Sequence, residues 1–295
     1  MPRTDIEIRS LMVATDIDVL PDTSHVEDRG EYVVVRTPTN PSYHWGNFLM
    51  FREPPKPGDR EQWETAFEAE FGTEREYRHC AICWDQPGEE GSARTEFIEA
   101  GGYDPDLAVA LVAQPHELVE HPRMNRDVTV TALDPDGDEE LWAELLDMQV
   151  AGREVGHSEA DYRSFAEART ADRRKRFRAG DGAWFVAQLA DGTIAGSCGV
   201  VVTQGRARYQ AVDTHPEHRR LGIATRVVHD AGRAAIDEYG AEHLVIVADA
   251  EYHALPLYES LGFVHREQML AVCWWPGAPR AAEHPRWGSL ARPVS

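Results

Sequence analysis

The stretch Ala211-Val-Asp-Thr-His-Pro-Glu-His-Arg-Arg-Leu-Gly-Ile-Ala-Thr225 decides the fold. It reads as the end of a strand, a loop turned by Pro216, and a helix opened by Gly222. Beyond it, Ala224, Val227, Val228, Ala231 and Ala235 recur at helical spacing and give that helix one apolar face. The first turn of a helix leaves N–H groups without partners and carries the positive end of the dipole. Gly222 and the small Ala224 let a ligand approach the backbone, and Arg219 and Arg220 add charge. Together these features describe a cradle for a pyrophosphate. The plainer alternative is a helix start with two solvated arginines. The stretch lacks the three glycines of a dinucleotide fingerprint and the GK[ST] of a P-loop.

Working outward, the second half reads as a strand at 128–133, helices at 138–153 and 158–178, and strands at 183–190 and 193–203. The dipeptide Asp191-Gly192 between the last two signals a hairpin. A strand at 206–214, a helix at 221–239, a strand at 243–248, a helix at 253–261 and a strand at 267–275 follow. Three strands thus form a meander before the first βαβ crossover, which predicts an α/β fold with a mixed sheet. The first half reads as a helix within 5–18, strands at 31–37 and 47–52, a helix at 59–71, a strand at 78–85, a short helix at 92–100 and a strand at 106–114. Trp63, Phe67 and Phe71 mark the inner face of the 59–71 helix. The polar, proline-bearing stretch 119–126 is expected as a linker between domains at 1–118 and 127–275, and the proline-rich 276–295 as a tail.

The spacing Arg-x-x-Gly-x-Ala at Arg219, Gly222 and Ala224 resembles the acetyl-CoA signature of the GNAT superfamily of N-acetyltransferases. A second segment, Ala254-Leu-Pro-Leu-Tyr-Glu-Ser-Leu-Gly-Phe263, is similar to the later motif of that family, A-x-x-L-Y-x-x-L-G-F, at every fixed position. The resemblance covers about residues 127–275 and implies a GNAT acyltransferase fold. It implies acetyl-CoA as co-substrate and an amine as acceptor, either a small molecule or a peptide, with direct attack of that amine on the thioester. It further implies that backbone groups of Val212, Asp213 and Thr214 meet the pantetheine arm. The loop and helix start formed by Arg219, Arg220, Leu221, Gly222, Ile223, Ala224 and Thr225 would hold the diphosphate. An amide near Val212 would face the thioester oxygen, and Tyr258 would protonate the departing thiolate. Read without the resemblance, Tyr258 beside Leu257, Leu261 and Phe263 is a core aromatic. The sequence departs from the family seven residues before the tyrosine, where Glu251 replaces an asparagine. Glu251, His253 and Asp213 are candidates for the general base only because they fall near the motifs.

The first half ends in an echo of the second. Glu99-Ala-Gly-Gly-Tyr103 can be laid on Glu259-Ser-Leu-Gly-Phe263, and the preceding elements follow in the same order. This resembles a degenerate second copy, as in tandem GNAT proteins such as mycothiol synthase; an unrelated α/β domain is the alternative. The register puts Ile98 where Tyr258 stands, and no Arg-x-x-Gly-x-Gly/Ala occurs near residue 55. Two further readings of the whole chain follow: a non-catalytic acyl-CoA-binding regulatory protein, or a tandem acyltransferase of the mycothiol-synthase type.

Composition bounds these readings. Of 295 residues, 42% are apolar and 27% charged, as in a globular protein. Acidic residues number 51 and basic residues 30, a net charge of −21, which argues against nucleic acid or anionic lipid as the main partner. Lys56 and Lys175 are the only lysines; a salt-rich cytoplasm or arginine-biased codon usage would each produce that pattern. No run of about 18 apolar residues exists, and the first residues lack the pattern of a signal peptide. A cytoplasmic setting is expected. The CxxC of Cys80 and Cys83 lies on a strand, where its two residues face opposite ways, so no metal site is expected. The loop Ser42-Tyr-His-Trp-Gly-Asn47 could help build an acceptor pocket or pack as a loop. The run Arg173-Arg174-Lys175-Arg176 suits a helix end and reads as a solvated face, or as the border of an acceptor groove.

Overall fold

The computed structural model describes residues 6–72, 77–153, 155–251 and 254–291. In chain order the elements are α1 (Leu11–Asp18), β1 (His25–Asp28), β2 (Tyr32–Arg36), β3 (Phe48–Phe51), α2 (Asp59–Phe71) and β4 (Cys80–Trp84). A wide helical turn (Arg94–Glu99), β5 (Asp104–Ala113), β6 (Thr129–Ala132), α3 (Glu139–Ala151), α4 (Glu159–Arg178) and β7 (Gly182–Gln188) follow. The chain ends with β8 (Ile194–Thr203), β9 (Arg206–Thr214), α5 (Ile223–Asp237), β10 (His243–Asp249), α6 (Leu255–Ser260) and β11 (Val264–Trp274). The fold is mixed α/β, as the pattern predicts. Strand β1 (HVED) escapes sequence reading because it buries only Val26; its ladder with β2, from His25↔Arg36 to Asp28↔Val33, defines it.

Two compact units interleave along the chain. One comprises Met1–Val109, Glu154–Asp161 and Glu267–Ser295; the other comprises Ala110–Arg153 and Tyr162–Arg266. These units are defined by packing, whereas the expected boundary at 119–126 is a cut along the sequence.

In the first unit the strands run β1-β2-β3-β4-β11. Strands β3 and β4 are parallel, with α2 between them in the chain, and β11 is antiparallel to β4 through Val272↔Ile82 and Trp274↔Cys80. Trp63, Phe67 and Phe71 are buried as their spacing predicts, and Trp63 stacks on Phe51 with centroids 3.8 Å apart and planes 5° apart. Helix α1 starts on carboxylates: Asp85 accepts from the Ser10 N–H at 2.8 Å, and Glu267 from the Leu11 and Met12 N–H groups at 3.0 and 2.6 Å. The stretch expected as a tail packs here through residue 291. Ala278, Ala281 and His284 are buried, and the Trp274 indole N–H donates to the Ala281 carbonyl at 3.1 Å.

In the second unit the strands run β5-β10-β9-β8-β7-β6, with β5 entering at residue 110. The meander β6-β7-β8-β9 is antiparallel and β10 is parallel to β9. Val227, Val228, Ala231 and Ala235 of α5 are buried, the face the spacing predicts, while Ala224 is only half-buried. The Tyr209 hydroxyl of β9 donates to the Val228 carbonyl at 2.9 Å, tying helix to sheet.

Candidate active site

Three local features of β9 and β10 shape the site. Their parallel ladder covers only His243↔Arg206, Leu244↔Ala207 and Val245↔Arg208. Both strands run on past it, β9 to Thr214 and β10 to Asp249, so their C-terminal ends separate and leave facing backbone unpaired. Strand β9 also carries a bulge. Gln210 pairs with Gly199 and Asp213 with Ser197, which leaves Ala211 and Val212 opposite one residue of β8; Ala211 sits at φ 40°.

The bulge re-aims Asp213. Side chains alternate along a strand, so residues three apart face opposite ways. Tyr209 faces α5, and Gln210 faces α4, where it accepts from the Arg169 guanidinium at 3.2 Å. Without the extra residue Asp213 would face α5; with it, Asp213 shares the α4 face with its cross-strand neighbour Ser197. Burial pushes the Asp213 carboxyl up to about 6, although the nearby Arg173 and Arg219 guanidinium groups favour its ionised form. Ser197 is fully buried, and its hydroxyl has no partner among the described residues.

The loop before α5 combines left-handed backbone with an uncapped helix start. Arg220 and Gly222 both have left-handed backbone, at φ 62° and 76°. A Cβ on Gly222 would lie 2.1 Å from the Arg123 carbonyl oxygen, so glycine is required for space as well as for φ. No side chain caps α5. Among the described residues, none of the N–H groups of residues 220–225 finds an acceptor; the first bond of the helix runs from the Arg226 N–H to the Gly222 carbonyl at 3.1 Å. Arg219 and Arg220 are exposed and form no ion pair among the described residues, in a chain whose acidic residues far outnumber its basic ones. Leu221, at the crest of the loop, is 54% exposed.

Tyr258 lies on α6 and is 4% exposed. Its ring meets Phe263 edge-on at 6.5 Å, and Phe263 in turn meets Tyr209 at 5.9 Å. Burial, with Cys198 and Tyr258 adding to it, holds the Tyr209 phenol well above the ordinary tyrosine range. Glu251 is exposed in the turn after β10, its own N–H bonded to the Asp249 carboxylate at 2.7 Å. His253 lies outside the described residues.

The first unit repeats the βαβ geometry without the opening. The ladder between β3 and β4 continues to Phe51↔Trp84, the last residue of each strand. Helix α2 begins with Asp59 and Glu61, and the Asp59 carboxylate takes the Lys56 N–H at 2.8 Å. The acidic side chains in the first turn of α2 disfavour an anion there. Cys80 accepts from the Tyr103 hydroxyl at 3.4 Å, and burial raises both Cys80 and Cys83. Among the described residues no group of three or more His, Cys, Asp or Glu side chains could hold a metal. The 42–47 loop is pinned by Asn47, whose amide donates to the Asn40 and Tyr43 carbonyls at 2.9 Å each. In the basic run, Arg174 pairs with Glu139 at 2.5 Å and lies over Trp142. Lys175 pairs with Asp172 at 3.1 Å and Arg176 with Asp181 at 3.1 Å. Arg173 stacks on Trp184 at 4.6 Å and is the member that faces Asp213.

Comparison with known proteins fits this geometry. Residues 142–263 match the acetyltransferase (GNAT) family, and the chain carries a domain of that family. Its fold is similar to a functionally unknown conserved protein from Staphylococcus epidermidis ATCC 12228, at 15% identity and TM-score 0.68, over 87% of this chain and 96% of that one. It is similar to a GCN5-related N-acetyltransferase from Kribbella flavida, at 17% identity and TM-score 0.61, over 93% and 96%. A tandem GNAT protein from the clavulanic acid biosynthesis pathway is similar at 14% identity and TM-score 0.51, over 89% and 87%. No curated protein matches the sequence. No helix of the described residues is long and apolar enough to cross a membrane.

Proposed function

We propose that the chain transfers the acetyl group of acetyl-CoA to a primary amine. The observation that carries this reading is the row of backbone N–H groups at residues 220–225 that find no acceptor among the described residues, beside Arg219 and Arg220, which form no ion pair among them, and two separated strands. A diphosphate satisfies those donors, and the pantetheine arm adds to the free edge of β9 as a strand would. The amine nitrogen attacks the thioester carbon, a backbone N–H in the bulge near Val212 stabilises the oxyanion, and the carbon–sulfur bond breaks. The amine proton goes to Asp213 and the Tyr258 hydroxyl proton to the thiolate. Phenol and thiol have ordinary pKa values within about two units, so that transfer is nearly balanced. A carboxyl poised at about 6 on the α4 face is what a base working near neutrality needs, and it favours chemistry over a purely regulatory acyl-CoA-binding role. The first half reads as a degenerate copy that lends structure and binds no CoA. Four free, buried cysteines and the need for acetyl-CoA fit a reducing cytoplasm.

The test is CoA release over a panel of amines, with calorimetric titration of CoA alongside. One CoA binds per chain, and Tyr258→Phe keeps that binding while turnover falls about 100-fold. Binding without turnover on any amine supports the regulatory role instead, and absence of CoA binding refutes both.

A further inference from the structure

The stretch expected as a linker lies entirely within the second unit and bonds to the carbonyls of Leu221 and Gly222. The Val119 N–H donates to the Leu261 carbonyl at 3.1 Å, at the end of α6. The Glu117 carbonyl fills the space beside Gly262, where a Cβ would lie 1.9 Å from it. Leu118 and Met124 are buried. The last contact bears on the anion loop itself. The Asn125 side-chain amide donates to the Leu221 carbonyl at 2.9 Å, and the Asn125 backbone N–H donates to the Gly222 carbonyl at 3.1 Å. Its Oδ1 accepts from the Asp127 and Val128 N–H groups at 2.9 and 3.2 Å, which fixes the amide orientation.

Peptide planarity turns these contacts into a statement about the site. In a trans peptide the C=O and the following N–H point in opposite directions. A Leu221 carbonyl held toward Asn125 sends the Gly222 N–H away from it. A Gly222 carbonyl held the same way sends the Ile223 N–H away as well. Both freed N–H groups belong to the unpaired row. Two anchored carbonyls therefore aim two donors; the Gly222 carbonyl is also held by the Arg226 N–H at 3.1 Å, so the Leu221 carbonyl is the one that depends on the Asn125 side chain.

We propose that Asn125 is a positioning residue for the diphosphate cradle, acting through the peptide planes on either side of Gly222. This rests on the reading that residues 220–225 bind CoA. Asn125→Ser tests it, since serine keeps a short acceptor for the Asp127 N–H but cannot reach the Leu221 carbonyl. The expected result is a Kd for CoA raised roughly tenfold by calorimetry, the loss of one hydrogen bond's worth of orientation. The KM for acetyl-CoA rises in step, kcat changes less than about twofold, and the melting temperature without ligand is unchanged. S-acetylpantetheine, which lacks the diphosphate, is used equally by parent and variant. Unchanged CoA affinity overturns the proposal. So does an equal loss with S-acetylpantetheine, or a fall in the ligand-free melting temperature, either of which makes Asn125 a general structural residue. Failure of the parent itself to bind CoA refutes the function proposed above and is seen in the first titration.

Discussion

Replacing Asp213 with asparagine moves stability and activity in opposite directions. The folded chain keeps the Asp213 proton up to about pH 6, while an unfolded aspartate releases it near 3.8. Folding therefore retains a proton across that window, and stability falls as pH rises through it. Above pH 6 the fold carries the full cost of the ionised carboxyl, about 3 kcal/mol at ~1.4 kcal/mol per tenfold shift in proton affinity. Asparagine has the shape of the protonated form and no charge to bury. The stability gap between Asp213→Asn and the parent thus widens by about 2.4 kcal/mol in favour of the variant between pH 4 and pH 7. Urea denaturation at a series of pH values measures it. Over the same range kcat/KM of the parent falls as pH drops below about 6, because the base becomes protonated. The variant loses at least about 100-fold in kcat/KM at pH 7 and loses that acid limb. A gap that does not widen with pH refutes the burial argument. A variant that retains the parent's pH–rate profile refutes the base assignment.

Gly222→Ala places a methyl against the Arg123 carbonyl and forces a left-handed alanine, so CoA affinity falls at least about tenfold in a calorimetric titration. Trp63→Ala removes a ring that is 5% exposed and stacked on Phe51, and destabilises the first unit by about 3–5 kcal/mol in urea denaturation.

Features written in backbone chemistry were legible in the sequence. Gly222 is glycine because of φ and a neighbouring carbonyl, and its spacing from Arg219 and Ala224 announces the loop. Helix α2 was legible because three aromatics at four-residue spacing have one structural use. The orientation of the Asp213 side chain was not legible. Its direction depends on a bulge at Ala211, and alanine carries no mark of a φ of 40°. Asn125 was hidden for a different reason: its partners are carbonyl oxygens, which every residue has, and they lie 96 positions away. Polarity and Pro122 made that stretch look like a tether. The packing of the closing stretch was hidden in the same way, because its prolines are more conspicuous than the buried His284, which Trp287 stacks upon at 4.4 Å. Strand partners were also invisible, since an apolar strand specifies burial and not the neighbour it hydrogen-bonds.

The interleaving of the two units has a consequence for how this chain can be divided. The strand that completes the sheet beside β4 is encoded after α6, and the strand beside β10 is encoded before residue 114. A fragment starting after residue 126 would carry Arg219, Gly222 and Tyr258 but leave β10 with a bare edge, and its own last strand would have no β4 to join. Each half thus encodes a strand that the sheet of the other needs, so the segment bearing Gly222 and Tyr258 calls for the first half to cover the edge of β10.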